Sequence, residues 1–178
     1  MNKLSIENTP IKDLYVIKLN PFIDNRGYFE RLFCDKEIEP ILKKPIKQIN
    51  HSVTKKKGSI RGMHYQLPPM AETKIIKCIK GSIFDVAVDI RKNSPTYLKW
   101  HGEVITEDND KMFLIPEGFA HGFQTLKDNV EIIYFTTEYY DAEHEKGVRY
   151  DEPAVNVLWP LRITIISEKD KNLPFMNL

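Results

Sequence analysis

Short runs in which hydrophobic and polar residues alternate recur along the chain. In the clearest run, residues 82–91, large apolar residues alternate with aspartate and arginine. A two-residue period predicts a half-buried strand, which places Asp85 and Asp89 on the face opposite the apolar side chains. The same reasoning predicts seven further strands: Tyr15–Leu19, Ile60–Gln66, 74–79, 100–105, Lys111–Ile115, 131–137 and 162–166.

Turn-forming residues separate many of these strands, as at residues 24–27 and 116–118. Many short strands spaced about 8–15 residues apart are typical of an antiparallel sandwich or barrel. Helix is scarce, and the two short candidates are residues 35–44, interrupted at Pro40, and residues 141–146. The pattern therefore predicts one all-β domain over residues 1–178, a jelly-roll sandwich or barrel with one or two short helices.

The charge balance limits the class of partner. The 178 residues carry 26 basic and 25 acidic side chains, a net charge of +1. This balance argues against a protein that binds nucleic acid by neutralising many phosphates, so an anionic ligand would have to be met by a few placed cations. No stretch approaches the ~18–20 apolar residues of a membrane helix, so we expect no membrane partner.

Two further features favour a cytoplasmic location. Cys34 and Cys78 are too few for a disulfide framework and lack metal-ligand spacing, which favours free thiols in a reducing compartment. Residues 1–8 contain no apolar core of a secretory signal. We therefore expect a cytoplasmic protein.

Reactive side chains are concentrated in four segments with apolar neighbours: residues 61–66, 72–76, 116–123 and 131–135. Taken singly, a strand histidine is most often structural, and a tyrosine among apolar residues is usually a core aromatic. Their concentration in a chain with only 5 histidines favours a functional site. Regular alternation would put His64 and Gln66 on one face and Arg61 on the other, unless a bulge at Gly62 intervenes.

The P-x-G-x-x-H segment at residues 116–121 resembles the second motif of the cupin superfamily, whose members are small jelly-roll barrels. Metal-binding cupins carry a His-x-His pair in their first motif, whereas residues 64–66 read His-Tyr-Gln. His64 and His121 with a distant Glu72 fall short of the three or four ligands of a firm transition-metal site. We therefore expect a cupin-like fold without a metal.

A longer set of motifs extends along the chain: Asp24-x-Arg26-Gly27-x-Phe29, Gln48-x-Asn50, Gly58-x-x-Arg61-Gly62-x-His64-x-Gln66, Lys74, Asp85-Val86-x-Val88-Asp89-x-Arg91-x-x-Ser94-Pro95-Thr96, Pro116-Glu117-Gly118-Phe119-Ala120-His121-Gly122-Phe123, Tyr134, Tyr140, Glu145-x-Gly147, Trp159-Pro160 and Ser167-x-Lys169-Asp170. Their order and spacing resemble the nucleotide-sugar 3,5-epimerases, a family that includes the dTDP-4-dehydrorhamnose 3,5-epimerases. The resemblance covers roughly residues 10–175, nearly the whole chain.

The resemblance implies an isomerase that inverts C3 and C5 of a nucleotide-linked 4-keto-6-deoxyhexose, with no redox or metal cofactor. The hydrogens on C3 and C5 are alpha to the carbonyl, so inversion needs a base on one ring face, an acid on the other and a stabilised enolate. By resemblance His64 is the base and Asp170 orients it. Tyr134 would return the proton, and Lys74 would stabilise the enolate oxygen.

The resemblance also implies a nucleoside-diphosphate 4-keto sugar as substrate and a homodimer that can exchange strands across its interface. An arginine fork suits a diphosphate, and an aromatic face suits a base. The matching positions are Arg26, Gln48, Asn50, Arg61 and Lys169 for the pyrophosphate, sugar or nucleotide, His121 for the sugar, Tyr140 for stacking on the base and Glu145 for the nucleotide end. The product would enter cell-surface or secondary-metabolite sugar synthesis.

The chain departs from the family pattern near the nucleotide. The family's usual glutamate after the Arg-Gly segment corresponds to Arg31, and Glu30 comes one residue earlier. Tyr150 replaces a common tryptophan before a changed Asp151-Glu152-Pro153 segment. These differences leave open an epimerase of C3 alone or C5 alone acting on a CDP-, GDP- or dTDP-linked sugar. A non-catalytic cupin-type sugar binder is the remaining alternative, and the four candidate catalytic residues together count against it.

Overall fold

The computed structural model describes residues 3–176. Helix is limited there to two four-residue segments, α1 (Asp35–Ile38) and α2 (Glu168–Lys171). The strands in chain order are β1 (Leu4–Asn8), β2 (Tyr15–Leu19), β3 (Phe22–Asp24), β4 (Gly27–Phe29), β5 (Gln48–Thr54), β6 (Ile60–Gln66), β7 (Lys74–Lys80), β8 (Ser82–Asp89), β9 (Trp100–Thr106), β10 (Lys111–Ile115), β11 (Phe119–Thr125), β12 (Val130–Thr136) and β13 (Glu145–Gly147). The prediction of an all-β fold with one or two short helices is confirmed.

The strands form two large antiparallel sheets that face each other. The six-stranded sheet has the order β1-β2-β10-β7-β12-β5, and the five-stranded sheet has the order β13-β6-β11-β8-β9. Apolar side chains from both sheets pack into one buried core, including Ile76 and Phe113 from the first and Ile83 and Phe123 from the second. This arrangement is the predicted cupin-like jelly-roll sandwich. Strands β3 and β4 pair with each other as a separate hairpin.

Each large sheet is also covered on its outer face. Apolar residues between Leu32 and Ile46, including those of α1, pack on the six-stranded sheet. Val155, Val157 and Trp159 pack on the five-stranded sheet. The prediction of a half-buried strand at residues 82–91 is therefore wrong in one respect. Both faces of β8 are buried, because the segment that contains Val155, Val157 and Trp159 packs on the outer face of its sheet. A two-residue period separates the two faces of a strand but does not show whether another segment covers one of them.

The predicted strand positions are confirmed with one exception. Strands β2, β6 and β10 have the predicted bounds, and the predictions at 74–79, 82–91, 100–105 and 131–137 differ from β7, β8, β9 and β12 by one or two residues. The strand predicted at residues 162–166 is wrong. That segment contributes only an isolated bridge between Ile166 and Ile60.

The helix predicted at residues 141–146 is also wrong. The Asp141 carboxylate accepts hydrogen bonds from the backbone N–H groups of Glu143 and His144, at 2.9 and 3.1 Å, and so forms a turn. The chain then enters β13, which pairs with β6. The predicted helix at residues 35–44 is reduced to α1. The pattern missed β1, β3, β4, β5, β11, β13 and α2; β11, for example, has no polar face, since all seven positions are buried.

Candidate active site

A cavity lies between the two sheets and has two adjoining lobes. The larger lobe, of about 660 Å³, is lined in part by Arg61 and His121. The smaller lobe, of about 420 Å³, is lined in part by Asn50. Three residues line both lobes: His64, Lys74 and Tyr134. The structure therefore brings three of the four predicted catalytic residues to the junction of the lobes.

A bulge in β6 turns two predicted site residues toward the same lobe. His121 of β11 pairs with His64, but the next residue, Gly122, pairs with Gly62, so one residue of β6 is left out of the register. Arg61 and His64 consequently both line the larger lobe, as the bulge alternative at Gly62 anticipated. Gly62 has φ +109°, and a Cβ there would lie 2.5 Å from the backbone oxygen of His121.

His64 is held by a buried carboxylate from the C-terminal part of the chain. Its Nε2 lies 2.7 Å from Asp170 Oδ1, and Asp170 Oδ2 accepts a hydrogen bond from the Gly62 N–H at 3.1 Å. Ser167 caps α2 by accepting a hydrogen bond from the backbone N–H of Asp170. These contacts join α2 to the β6 bulge and fix the orientation of the imidazole.

The charge on Asp170 determines which nitrogen of His64 is free. Burial of Asp170 opposes its ionisation, but the hydrogen bonds from His64 and from the Gly62 N–H outweigh burial and lower the pKa of the carboxyl. An ionised carboxylate only accepts hydrogen bonds, so Nε2 carries the proton of a neutral imidazole. Nδ1, which has no hydrogen bond within residues 3–176, is then free to accept a proton.

Tyr134 and Lys74 occupy the opposite wall. Tyr134 lies on β12 and Lys74 on β7 of the six-stranded sheet, whereas His64 lies on the five-stranded sheet. Tyr134 pairs with Ile76, and Lys74 with Thr136, so the two side chains are diagonal neighbours on one face. Burial, and then the negative charge of Glu72, raise the pKa of Tyr134. The phenol therefore remains protonated at neutral pH and can donate a proton.

A second histidine–carboxylate pair lies deeper in the sandwich. His121 Nε2 is 2.6 Å from Asp85 Oδ1, and Asp85 is fully buried. Asp85 therefore lies inside the protein, on the face of β8 that the alternation pattern had assigned to solvent. The pattern did not indicate its pairing with His121, because the two residues are brought together only by the antiparallel pairing of β8 and β11.

The mouth of the smaller lobe carries a connected group of polar side chains. Glu145 accepts hydrogen bonds from the Tyr140 hydroxyl at 2.9 Å and from Lys169 Nζ at 2.6 Å. Burial opposes ionisation of Glu145, but the contacts with Lys169 and Tyr140 lower its pKa. Gln48 accepts a hydrogen bond from the backbone N–H of Tyr140, and Asn50 lies on the same strand, β5. These five predicted binding residues are therefore grouped in space.

Arg61 is oriented by neutral groups. Its Nε donates to Thr54 Oγ1 at 2.9 Å and its Nη2 donates to the Val53 carbonyl at 3.1 Å. Within residues 3–176 no carboxylate forms an ion pair with it, and the rest of its fork faces the larger lobe. The side chain therefore presents an uncompensated positive charge to a ligand.

A sequence model of the family described as dTDP-4-dehydrorhamnose 3,5-epimerase matches residues 8–177. The chain belongs to this family. The resemblance inferred from the motifs is thereby confirmed over nearly their whole extent.

Named proteins agree with this assignment. The dTDP-4-dehydrorhamnose 3,5-epimerase of Shigella flexneri is 40% identical over 171 residues, 95% of this chain and 94% of that protein. The crystal structure of the dTDP-4-dehydrorhamnose 3,5-epimerase from Bacillus anthracis, with TDP and PPi bound, has a TM-score of 0.93 and 37% identity, and the match covers 97% of this chain and 99% of that one. The Legionella pneumophila dTDP-6-deoxy-D-glucose-3,5-epimerase, in complex with dTDP-4-keto-L-rhamnose, has a TM-score of 0.91 and 36% identity, over 97% and 92% of the respective chains.

One predicted binding residue of this dTDP-4-dehydrorhamnose 3,5-epimerase family member lies away from the cavity. The Arg26 side chain is 84% exposed in the β3–β4 turn and pairs with Asp24 at 2.5 Å. It lines neither lobe. The residues that depart from the family pattern nearby also have local partners. Arg31 pairs with Glu37 at 2.8 Å, and Glu30 lies 3.6 Å from Lys77.

The sequence reasoning also missed Glu72 as part of the site and considered it only as a distant metal ligand. Its Oε1 lies 3.2 Å from Lys74 Nζ, at the wall of the smaller lobe. Over residues 3–176, no three histidine, cysteine, aspartate or glutamate side chains are grouped to hold a metal ion. Within the same range, no helix is long and apolar enough to span a membrane.

Proposed function

We propose that this family member is an isomerase that inverts C3 and C5 of a nucleotide-linked 4-keto-6-deoxyhexose, converting dTDP-4-dehydro-6-deoxy-D-glucose into dTDP-4-dehydro-L-rhamnose. One observation carries the proposal: His64 and Tyr134 lie on facing sheets across a cavity. Inversion requires a base on one side of a carbon and an acid on the other, and this arrangement meets that requirement. The names of the relatives support the choice of substrate.

In the proposed mechanism, Nδ1 of His64 removes the hydrogen alpha to the 4-keto group, and the electron pair moves to O4 as an enolate. Asp170 keeps the proton on Nε2 before this step and stabilises the imidazolium after it. The Lys74 ammonium group lies beside O4 and stabilises its charge. Tyr134 then delivers its hydroxyl proton to the opposite face of the carbon. The sequence repeats at the second carbon after both residues have exchanged protons with solvent.

The binding residues divide between the two lobes. We propose that Arg61 and Lys169 bind the diphosphate, because a guanidinium fork and an ammonium group match its charge. Tyr140 would stack on the base, with Glu145 holding its hydroxyl. Gln48 and Asn50 would contact the nucleotide or the sugar from β5, and His121 would contact the sugar from inside the larger lobe.

We further propose that the protein works as a homodimer in which the β3–β4 hairpin reaches the partner's site and brings Arg26 to it. Two features support this. The hairpin exposes four large apolar side chains, at 59–72%: Phe22, Ile23, Tyr28 and Phe29. Strand β5, which carries Gln48 and Asn50, is an outer strand of the six-stranded sheet and exposes Ile49 and Val53. Exposed apolar patches and free sheet edges are typical of interfaces.

Sedimentation and turnover measurements on Ile23→Asp test the dimer. We expect this variant to become monomeric and to lose activity, because a charge would be buried at the interface. Leu158→Asp is the matched control and should remain dimeric, because Leu158 is similarly exposed, at 69% against 72% for Ile23, but belongs to the segment that covers the five-stranded sheet. A monomeric wild-type protein with full activity would contradict the proposal.

We also infer that residues 1–178 form one domain, since the family match covers residues 8–177 and a single core between the sheets contains side chains from Ile11 to Ile132. The same proposal places the reaction in the cytoplasm, in the synthesis of sugars for cell-surface polysaccharides or secondary metabolites.

Deuterium exchange tests the activity. The protein is incubated with dTDP-4-keto-6-deoxyglucose in D₂O, and deuterium at C3 and C5 is followed by NMR. We expect deuterium at both carbons, and its appearance at one carbon only would identify a mono-epimerase. No exchange with any dTDP-, CDP- or GDP-linked 4-keto sugar would refute the proposal. His64→Ala and Tyr134→Phe test the roles of the residues, and full exchange in either variant would refute that role.

A further inference from the structure

One largely buried carboxylate beside the proposed reacting groups has no role in the mechanism above. Glu72 lies two residues before the start of β7, and its side chain is 10% exposed. Its Oε1 lies 3.2 Å from Lys74 Nζ, and Lys74 itself is 15% exposed. Within residues 3–176 no other carboxylate is within ion-pair distance of Lys74. The cavity therefore contains an ion pair largely removed from bulk water.

Stability alone is a weak explanation for this pair. Removing two charges from water carries a desolvation penalty that often cancels their attraction, so a buried ion pair is poor evidence of stabilisation. The same sheet contains a contrasting pair, Lys80 with Glu131 at 3.1 Å, in which the lysine is 57% exposed. Both lysines belong to β7, but only Lys74 lines the cavity. A role for Glu72 in the site explains why a carboxylate is retained there.

We infer that Glu72 is a positioning residue of the proposed reaction, which holds the Lys74 ammonium group beside Tyr134 on the wall that faces His64. This inference rests on the proposed function. The lysine side chain has four flexible carbon–carbon bonds, and a charge stabilises an enolate best when it is already in place before the proton is removed. Among the described residues 3–176, Glu72 is the one carboxylate that forms an ion pair with this ammonium group and so restricts it.

Glu72 also acts on Tyr134 through its charge. Besides Tyr134, the two lobes are lined by ionisable groups from several elements. These are Arg61, His64 and Tyr65 on β6, Lys55 and Lys56 after β5, Glu72 and Lys74 at β7, His121 on β11, Tyr140 and Glu145 near β13, and Lys169 and Asp170 on α2. Burial raises the pKa of Tyr134 most, Glu72 raises it further, and Arg61 lowers it. Glu72 thus offsets part of the surrounding positive charge and keeps the hydroxyl proton on the acid.

The proton balance of the reaction does not involve Glu72. The carbon loses its proton to His64 and gains one from Tyr134, so one imidazolium and one tyrosinate form for each inversion. Both return to their starting states by exchange with solvent. Glu72 takes no part in these proton transfers, and its removal should change the rate of the chemical step more than the binding of substrate.

Glu72→Gln tests this inference, because it removes the charge and keeps the shape of the side chain. We expect kcat for exchange at C3 and C5 to fall about tenfold to a hundredfold, the size of effect that losing an orienting partner has at metal sites. KM should change less than about threefold, since Glu72 acts after binding. Glu72→Asp, which keeps the charge, should retain an intermediate kcat. Glu131→Gln, which removes the carboxylate of the exposed pair, is the matched control and should match the wild type.

A double-mutant cycle with Lys74→Ala shows whether Glu72 acts through Lys74. We expect Glu72→Gln to have less than about a twofold further effect in the Lys74→Ala background, because coupled residues are strongly non-additive. The same fold loss in both backgrounds would overturn the inference, as would a wild-type kcat in Glu72→Gln. A variant that raised KM alone would overturn it as well, because that result assigns Glu72 to substrate binding.

A titration separates this inference from the proposed function. Ultraviolet difference titration of the tyrosines, with Tyr134→Phe as the reference, follows the Tyr134 pKa without substrate. Loss of a negative charge makes the tyrosinate less unfavourable, so Glu72→Gln should lower that pKa and move the alkaline limb of the kcat profile to lower pH. An unchanged titration would refute the effect of Glu72 on Tyr134 even in an active enzyme. Failure of the wild type to exchange any substrate would refute the proposed function while leaving the titration result valid.

Discussion

The replacement Asp170→Asn tests the proposed orientation of the base. In the wild type, one carboxylate oxygen faces His64 Nε2 at 2.7 Å and the other accepts the Gly62 N–H at 3.1 Å. An asparagine cannot serve both partners in the same way. If its oxygen stays with Gly62, its NH₂ group faces Nε2, which must then accept, and the imidazole proton moves to Nδ1. If the asparagine amide is flipped, its NH₂ group faces the buried Gly62 N–H, so two donors meet and the Gly62 N–H has no acceptor.

The expected magnitude follows from these contacts. A hydrogen bond involving a charged group contributes about 1.5–3 kcal/mol, and an unsatisfied buried donor costs about 1–3 kcal/mol. Together they amount to roughly 2.5–6 kcal/mol, and each 1.36 kcal/mol corresponds to tenfold in rate. We therefore expect Asp170→Asn to lower the exchange rate at C3 and C5 by about 10²- to 10⁴-fold.

The assay is deuterium incorporation from D₂O under saturating substrate, with circular dichroism to verify the fold. Asp151→Asn is the matched control, because it makes the same chemical change in an exposed pair with Arg149 at 2.7 Å. A rate for Asp170→Asn within about threefold of the control would refute the reasoning from tautomer and orientation. Equal losses in both variants would also refute it.

Three further outcomes are expected. Arg61→Lys should raise the KM for the nucleotide sugar about tenfold in steady-state assays. The reason is that a lysine lacks the guanidinium fork, which donates hydrogen bonds to β5 and also faces the diphosphate. An unchanged KM would exclude a contact between Arg61 and the diphosphate. Gly62→Ala should destabilise the protein by more than about 2 kcal/mol in calorimetry. Gly27→Ala is the control, with a similar φ of +133° but nothing within 4 Å of the new Cβ, and should cost roughly 1 kcal/mol. Equal losses in the two variants would show that backbone conformation alone matters. Burial opposes the ionisation of Asp89, but hydrogen bonds led by Arg91 lower its pKa to about 2. The stabilisation from this ionised group is complete above its unfolded pKa and is lost as the pH falls through about 2. The loss of unfolding free energy measured by urea between about pH 5 and pH 2 should therefore be about 2 kcal/mol larger in the wild type than in Asp89→Asn.

Strands buried on both faces differ in how clearly the sequence marks them. Strand β10 has the predicted bounds because turn residues flank a short apolar run. Strand β11 was missed because its buried positions mix apolar, small and polar residues, so the segment shows no regular alternation. The turn at Asp141 was mistaken for the start of a helix. In turns and at helix N-termini alike, an aspartate side chain accepts hydrogen bonds from the backbone N–H groups that follow it.

The candidate site, like the strands, was predicted from the sequence only in part. Its residues were identified as a set through motifs whose order and spacing match a family, and the family assignment is confirmed. Their arrangement on facing walls could not be obtained that way. Glu72 was missed because its partner, Lys74, gives no sign in the sequence of needing a counter-charge. Arg26 was expected at the site, but within one chain its side chain is exposed and lines neither lobe.

The sequence by itself determined the fold class, the positions of most strands and the family of this protein, because short-range alternation and motif spacing are properties of neighbouring residues along the chain. The tertiary structure alone decided which strand faces are covered, that His64 meets Asp170 across 106 positions and that Tyr134 faces His64 from the other sheet. Such contacts depend on sheet pairing and on the β6 bulge, which join residues far apart in sequence. The chemistry proposed for the cavity depends on these contacts.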